Sequence, residues 1–217
     1  MSPEPKPPNP ERRNETARRA ILRAAMQLCR EVGYARVSVD AIAAAAGVGK
    51  QTIYRWWPSK GAVVLEALLE KTRPLVSFRN TGSFEDDLKA QLRSITRVMS
   101  DPRLGPRIAE IAGEAQHDPD LADLLAEHAV RPLRALNRAT LTAAKESGAL
   151  DTDLDLDVIA DLLFGPLWFR LLLSKAPLSA AYADAIADAV LALSRSPRSR
   201  HTRPQRAQRS KQPRSRR

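Results

Sequence analysis

Ser-Val-Asp-Ala-Ile-Ala-Ala-Ala-Ala-Gly-Val-Gly-Lys-Gln-Thr-Ile-Tyr-Arg-Trp-Trp-Pro-Ser-Lys, residues 38–60, reads as two short helices around a glycine turn. Ser38 is a good N-cap, and Val39, Ile42, Ala43 and Ala46 make an apolar stripe at helical spacing. Gly47-Val48-Gly49 breaks that helix. A second helix is expected to start near Lys50 and to end before Pro58. Val48, Ile53 and Trp57 then fall on its inner side, which leaves Lys50, Gln51, Thr52 and Arg55 facing outward. The alternative is an ordinary helical hairpin with a solvated basic face. The Tyr, the closing Pro-Ser-Lys and the amphipathic preceding helix together favour a helix-turn-helix.

The outward side chains have the chemistry that double-stranded DNA requires. Gln51 can donate to and accept from adenine, Thr52 can meet a thymine methyl or a phosphate, and Arg55 can fork onto guanine or a phosphate. Tyr54 and Lys60 suit phosphates, which set register rather than sequence. Ser38 and the N–H groups at its helix start can take a further phosphate. Trp56 either packs on the domain surface or lies against the sugar-phosphate backbone, and packing is the favoured reading.

Outward from this stretch the chain reads as all-α. A helix is expected from about Asn14 to Val32, stopped by Gly33, and a fourth from Ser59 to near Pro74. After a connection at 75–82, Ser83 caps a helix whose Phe84, Leu88, Leu92, Ile95 and Met99 share a face. A shorter helix passes through Ile108 and Ile111. Asp118-Pro119 opens a long one to Gly148, kinked at Pro132. Residues 155–174 form a very apolar helix, bent at Gly165-Pro166. The last helix, to Ser194, carries Tyr182, Ala185, Ile186, Ala189, Val190 and Leu193 on one face. The expected organisation is a proline-rich disordered arm at 1–13, a helix-turn-helix domain at 14–74, a helical regulatory and dimerisation domain at 83–194, and a disordered basic tail at 195–217.

The net charge is +10, but it is uneven. Residues 195–217 hold ten Lys or Arg and no acid; residues 11–60 hold ten bases and four acids; residues 61–194 hold fourteen bases and twenty acids. The regional split, a basic head on an acidic middle, speaks for DNA better than the total does. The basic tail either adds nonspecific, salt-sensitive DNA affinity or serves only solubility. The first residues lack the apolar core of a signal peptide, and the most apolar run, Val158–Leu173, contains Asp161 and Arg170 and is short for a bilayer. A cytoplasmic, nucleoid-associated protein with no membrane partner is expected. Cys29 is the sole cysteine and falls on an apolar face, which excludes an intramolecular disulfide. His117 and His128 are too isolated to argue for a metal. No nucleophile–base set or phosphate loop argues for an enzyme, and no cofactor is expected.

Residues 14–74 resemble the DNA-binding domain of the TetR/AcrR family of bacterial regulators. The resemblance is carried by Ala20-Ile21-Leu22-Arg23-Ala24-Ala25, Gly33-Tyr34, Val39-Asp40-Ala41-Ile42-Ala43, Gly47-Val48-Gly49-Lys50, Thr52-Ile53-Tyr54 and Trp57-Pro58-Ser59-Lys60. Family members commonly have Ser where this chain has Gly49, which removes one phosphate-binding hydroxyl. They have His or Tyr and then Phe where it has Trp56 and Trp57. The resemblance implies a ligand-responsive homodimeric repressor on a palindromic operator. It implies an effector pocket among the helices of residues 83–174, for which Met99, His128, Phe164, Trp168 and Phe169 are the candidates. It also implies that the last two helices pair with their copies, with Leu163, Leu167, Tyr182, Ile186 and Val190 as candidate interface residues. A nonspecific architectural DNA binder driven by the tail, and an activator, are the alternatives.

Overall fold

The computed structural model describes residues 10–76 and 79–195. The residues 1–9 of the expected arm and 196–217 of the expected tail lie outside it. Among the described residues the regular structure is helical throughout. Helix α1 spans Pro10–Val32, so it starts before the expected Asn14, with Pro at its first position. Helices α2 (Val39–Ala46), α3 (Lys50–Tyr54) and α4 (Lys60–Thr72) follow. The second half holds α5 (Phe84–Ser100), α6 (Gly105–Glu114), α7 (Pro119–Leu125), α8 (Arg131–Glu146), α9 (Leu156–Phe169) and α10 (Ala180–Arg195).

The starts follow from the caps. Ser38, Ser59, Ser83 and Asp118 each sit in extended backbone and accept from the N–H three residues on, at 3.1 to 3.3 Å. The chain stays helical from α7 through Pro132 into α8, and Ala126–Val130 widens into one π-turn between the two helices. A proline has no N–H for the carbonyl four residues back, here that of His128. That carbonyl accepts from Arg73 Nη2 at 2.9 Å, so the end of α4 supplies the missing donor. Pro166 lies inside α9, and a second π-turn, Arg170–Ser174, closes that helix.

The side chains form two cores, and they divide differently from the chain. The first gathers Ile21, Ala25 and Cys29 of α1, Ile42 of α2, Ile53 of α3, Trp57, and Val63 and Val64 of α4. It also takes Ile111 and Ala115 at the end of α6, and Leu121 of α7. The second joins α5, α8, α9 and α10 through Leu92, Leu141, Ile159, Leu163, Ala183 and Ile186. The head expected at 14–74 therefore shares its core with two helices from beyond the connection. Burying an Ile or Leu side chain is worth about 1.5–3 kcal/mol, so Ile111 and Leu121 contribute several kcal/mol to that joint. Gly61 permits the approach: a Cβ there would stand 2.8 Å from Leu121 Cδ2.

Candidate nucleic-acid interface

The turn between α2 and α3 depends on Gly47, which holds φ 67° and ψ 34° and sends its N–H back to the carbonyls of Ala43 and Ala44. Few side chains tolerate that left-handed backbone. Gly49, at φ −75°, is ordinary extended backbone and caps α3 with no side-chain bond. Ile53 is fully buried and Trp57 nearly so, and together they fix the rotation of α3. Lys50, Gln51, Tyr54 and Arg55 are exposed and Thr52 is half-buried. The structure brings these five to one outward surface.

Intramolecular partners already hold four of the expected contacts, Lys50, Arg55, Lys60 and Ser38. Lys50 Nζ lies 2.5 Å from Asp40 Oδ1 across the turn. The Arg55 guanidinium lies over the Trp56 ring, 5.1 Å from its centroid. Trp56 packs against the head's core and meets Trp57 edge-on, with centroids 5.4 Å apart and planes at 85°. Packing is thus the placement of Trp56 in the free protein. Trp57 Nε1 donates to Glu66 Oε2 at 2.5 Å, and Glu66 Oε1 accepts from Arg18 Nε at 2.8 Å. A chain of contacts therefore runs from Arg55 to the middle of α1.

Lys60 is turned back. Its ammonium donates to the Tyr34 carbonyl at 3.2 Å and sits 4.5 Å from the Tyr34 ring centroid. Burial, and after it the negative charge of Glu114, pushes the Tyr34 phenol well above its ordinary value, so the ring stays neutral. Ser38 is exposed, with its Oγ engaged by the Ala41 N–H.

On the other side of the head, α6 grips α1. Arg107 Nη1 donates to the Cys29 carbonyl, and Arg107 Nε lies 2.8 Å from Glu110 Oε2. Burial raises the Glu110 carboxyl against the pull of Arg107 and of the Tyr34 N–H. Sequence reasoning missed this grip and the Asp40–Lys50 pair. Both need knowledge of which helix faces which.

Two descriptions of one family match the chain: bacterial regulatory proteins of the tetR family over residues 21–67, and the tetracyclin repressor-like C-terminal domain over residues 78–190. The chain belongs to the TetR family of transcriptional regulators. It is 34% identical to the HTH-type transcriptional regulator YdeS of Bacillus subtilis over 78% of this chain and 85% of that one. It is 32% identical to the DNA-binding transcriptional repressor TetR of Mycobacteroides abscessus over 82% and 94%. Among solved structures, the TetR family transcription regulator SCO0332 is 35% identical, with a TM-score of 0.70 over 81% of this chain and 97% of that one. A helix-turn-helix regulator of transcription is thus what the fold carries.

Of the residues expected to line an effector pocket, three lie together in the second core and two lie on the surface. Met99 is buried in the second core, and Phe164 and Trp168 pack against it. His128 is exposed on the π-turn, and Phe169 is 56% exposed. A cleft of about 480 Å³ opens elsewhere, between Pro74-Leu75, α5 and the start of α6.

The expected interface residues are also consumed. Leu163, Leu167, Ile186 and Val190 are buried in the chain's own second core, and Tyr182 lies under the Arg170 guanidinium at 3.3 Å. The outward face of α9 is a different stripe. Val158 and Leu162 open it, Phe169, Leu172 and Leu173 continue it, and α10 adds Leu193. Adjacent residues on a helix differ by about 100° in direction, so Leu162 faces out where Leu163 faces in. A helix that is apolar nearly all round gives no phase to its pattern, so the sequence alone does not separate Leu162 from Leu163. Among the described residues no helix is long and apolar enough to cross a membrane.

Proposed function

We propose that this protein is a homodimeric repressor that holds a palindromic operator through two copies of α3 and leaves it when a small molecule binds. The observation that carries the reading is the rotation of α3, with Ile53 buried and Gln51, Tyr54 and Arg55 outward at the head of a basic domain. Gln51 and Arg55 would read bases, while Lys50, Thr52, Tyr54, Lys60 and Ser38 would meet phosphates, Lys50 after leaving Asp40 and Lys60 after leaving Tyr34. The relative from Mycobacteroides abscessus bears the name repressor, which supports repression over activation.

Dimerisation would use the exposed stripe of α9, from Val158 to Leu173, with Leu193 of α10. Single exposed leucines are common on surfaces, but a stripe at helical spacing marks a partner face. A two-fold dimer places two recognition helices about one DNA turn apart. The protein would work in the cytoplasm, on the nucleoid. Footprinting of the DNA beside the protein's own gene tests this. Protection of one short palindrome is expected, and protection without sequence preference would establish the architectural alternative instead. Light scattering of the free protein should give a dimer mass; a monomer at micromolar concentration would refute the dimer.

A further inference from the structure

The cleft beside α5 has a chemistry of its own. Its apolar walls are Pro74, Leu75, Ala90, Val98 and Leu104, and three arginines, Arg79, Arg93 and Arg97, stand over them. Arg93 is taken: its Nε and Nη2 hold the two oxygens of Asp184 on α10 at 2.6 and 2.9 Å. Asp101, the acid in the wall, is also engaged, since its Oδ1 accepts from the N–H groups of Arg103 and Leu104 at 2.7 and 3.0 Å. Among the described residues neither Arg79 nor Arg97 forms an ion pair with an acid. The cleft thus offers two guanidiniums above an apolar floor, in a volume suited to a small organic molecule.

We infer that this cleft takes an organic anion, a carboxylate or phosphate on an apolar body, with Arg79 and Arg97 clamping the acid group. Guanidinium forks match both anions in geometry and charge. The site deepens the effector reading above and rests on it. Two contacts connect it to the DNA-binding head. Pro74 and Leu75 follow α4 directly, and Ser94 Oγ donates to the Leu75 carbonyl. Leu104 lines the cleft and also packs against the first core, next to the helices that share it. An apolar body seated on Leu104 would bind two arrangements of α6 unequally, which is the condition for ligand and DNA to oppose one another.

The test titrates the full-length protein calorimetrically with octanoate, octyl phosphate, octanamide and octylamine. The two acids are expected to bind, and the better of them assigns the head group. The Arg79→Gln/Arg97→Gln variant should weaken that binding by roughly tenfold or more, as loss of charge-assisted hydrogen bonds does. Ala90→Trp, which fills the cleft, should block it by a separate route, and melting temperature checks the fold of both. Absence of binding by either acid overturns the inference. So does octylamine binding as tightly as octanoate, or both variants binding like the unaltered chain. The same samples are tested on the palindrome by fluorescence anisotropy. Failure to bind the palindrome without any acid refutes the repressor reading itself. Tight palindrome binding that the bound acid leaves unchanged refutes only the role of this cleft.

Discussion

Asp40→Asn should tighten DNA binding. Lys50 opens the recognition helix, and its ammonium sits 2.5 Å from the Asp40 carboxylate, with both side chains more than half exposed. To meet a phosphate it must leave that partner. An exposed ion pair is worth about 0.2–1 kcal/mol, and a dimer breaks two, so the gain is at most about 2 kcal/mol, or roughly thirtyfold in affinity. Lys50 meets its phosphate with or without Asp40, so the slope of log K on log salt, about 0.9 per phosphate neutralised, should change little. The assay is fluorescence anisotropy on the palindrome and on a scrambled duplex over a salt series. Because phosphates carry no sequence, both duplexes should gain alike. Asp40 also sits in the first turn of α2, where its charge favours the helix end, so a melt must show that the variant folds. Unchanged affinity at low salt would refute the reasoning, and Lys50 would then have no place among the DNA contacts.

Four further outcomes are expected. A Cβ at Gly49 meets nothing within 4 Å, so Gly49→Ser should stabilise α3 by a few tenths of a kcal/mol and tighten DNA binding with the salt slope unchanged, since a neutral hydroxyl releases no counterion; chemical denaturation and the same anisotropy series would detect both gains. At Gly105 a Cβ would stand 2.2 Å from the Met99 carbonyl oxygen, so Gly105→Ala should destabilise by roughly 1–3 kcal/mol; an unchanged urea midpoint would disprove the close approach. On α9, Leu162→Glu with Phe169→Glu should convert the dimer to folded monomers, read by light scattering and circular dichroism. Leu163→Ala, one residue away, should instead cost about 2–5 kcal/mol of stability through its cavity.

The amino-acid sequence by itself determined where four of the helices begin. Ser38, Ser59, Ser83 and Asp118 sit before apolar repeats, and their oxygens satisfy N–H groups that any helix leaves open. It also determined the outward side of α3, because Ile53 on that short polar helix and Trp57 just after it are bulky apolar residues four apart. Only the tertiary structure decided which neighbour each side meets. Periodicity states that a face is apolar, not what covers it. The first core draws Ile111 and Leu121 from beyond the connection, Asp40 reaches Lys50 across a turn, and α9 turns Leu163 inward and Leu162 outward. Caps and turns close over three or four residues, within reach of local reading. The joint between head and body and the phase of an all-apolar helix are set by packing among segments far apart in the chain.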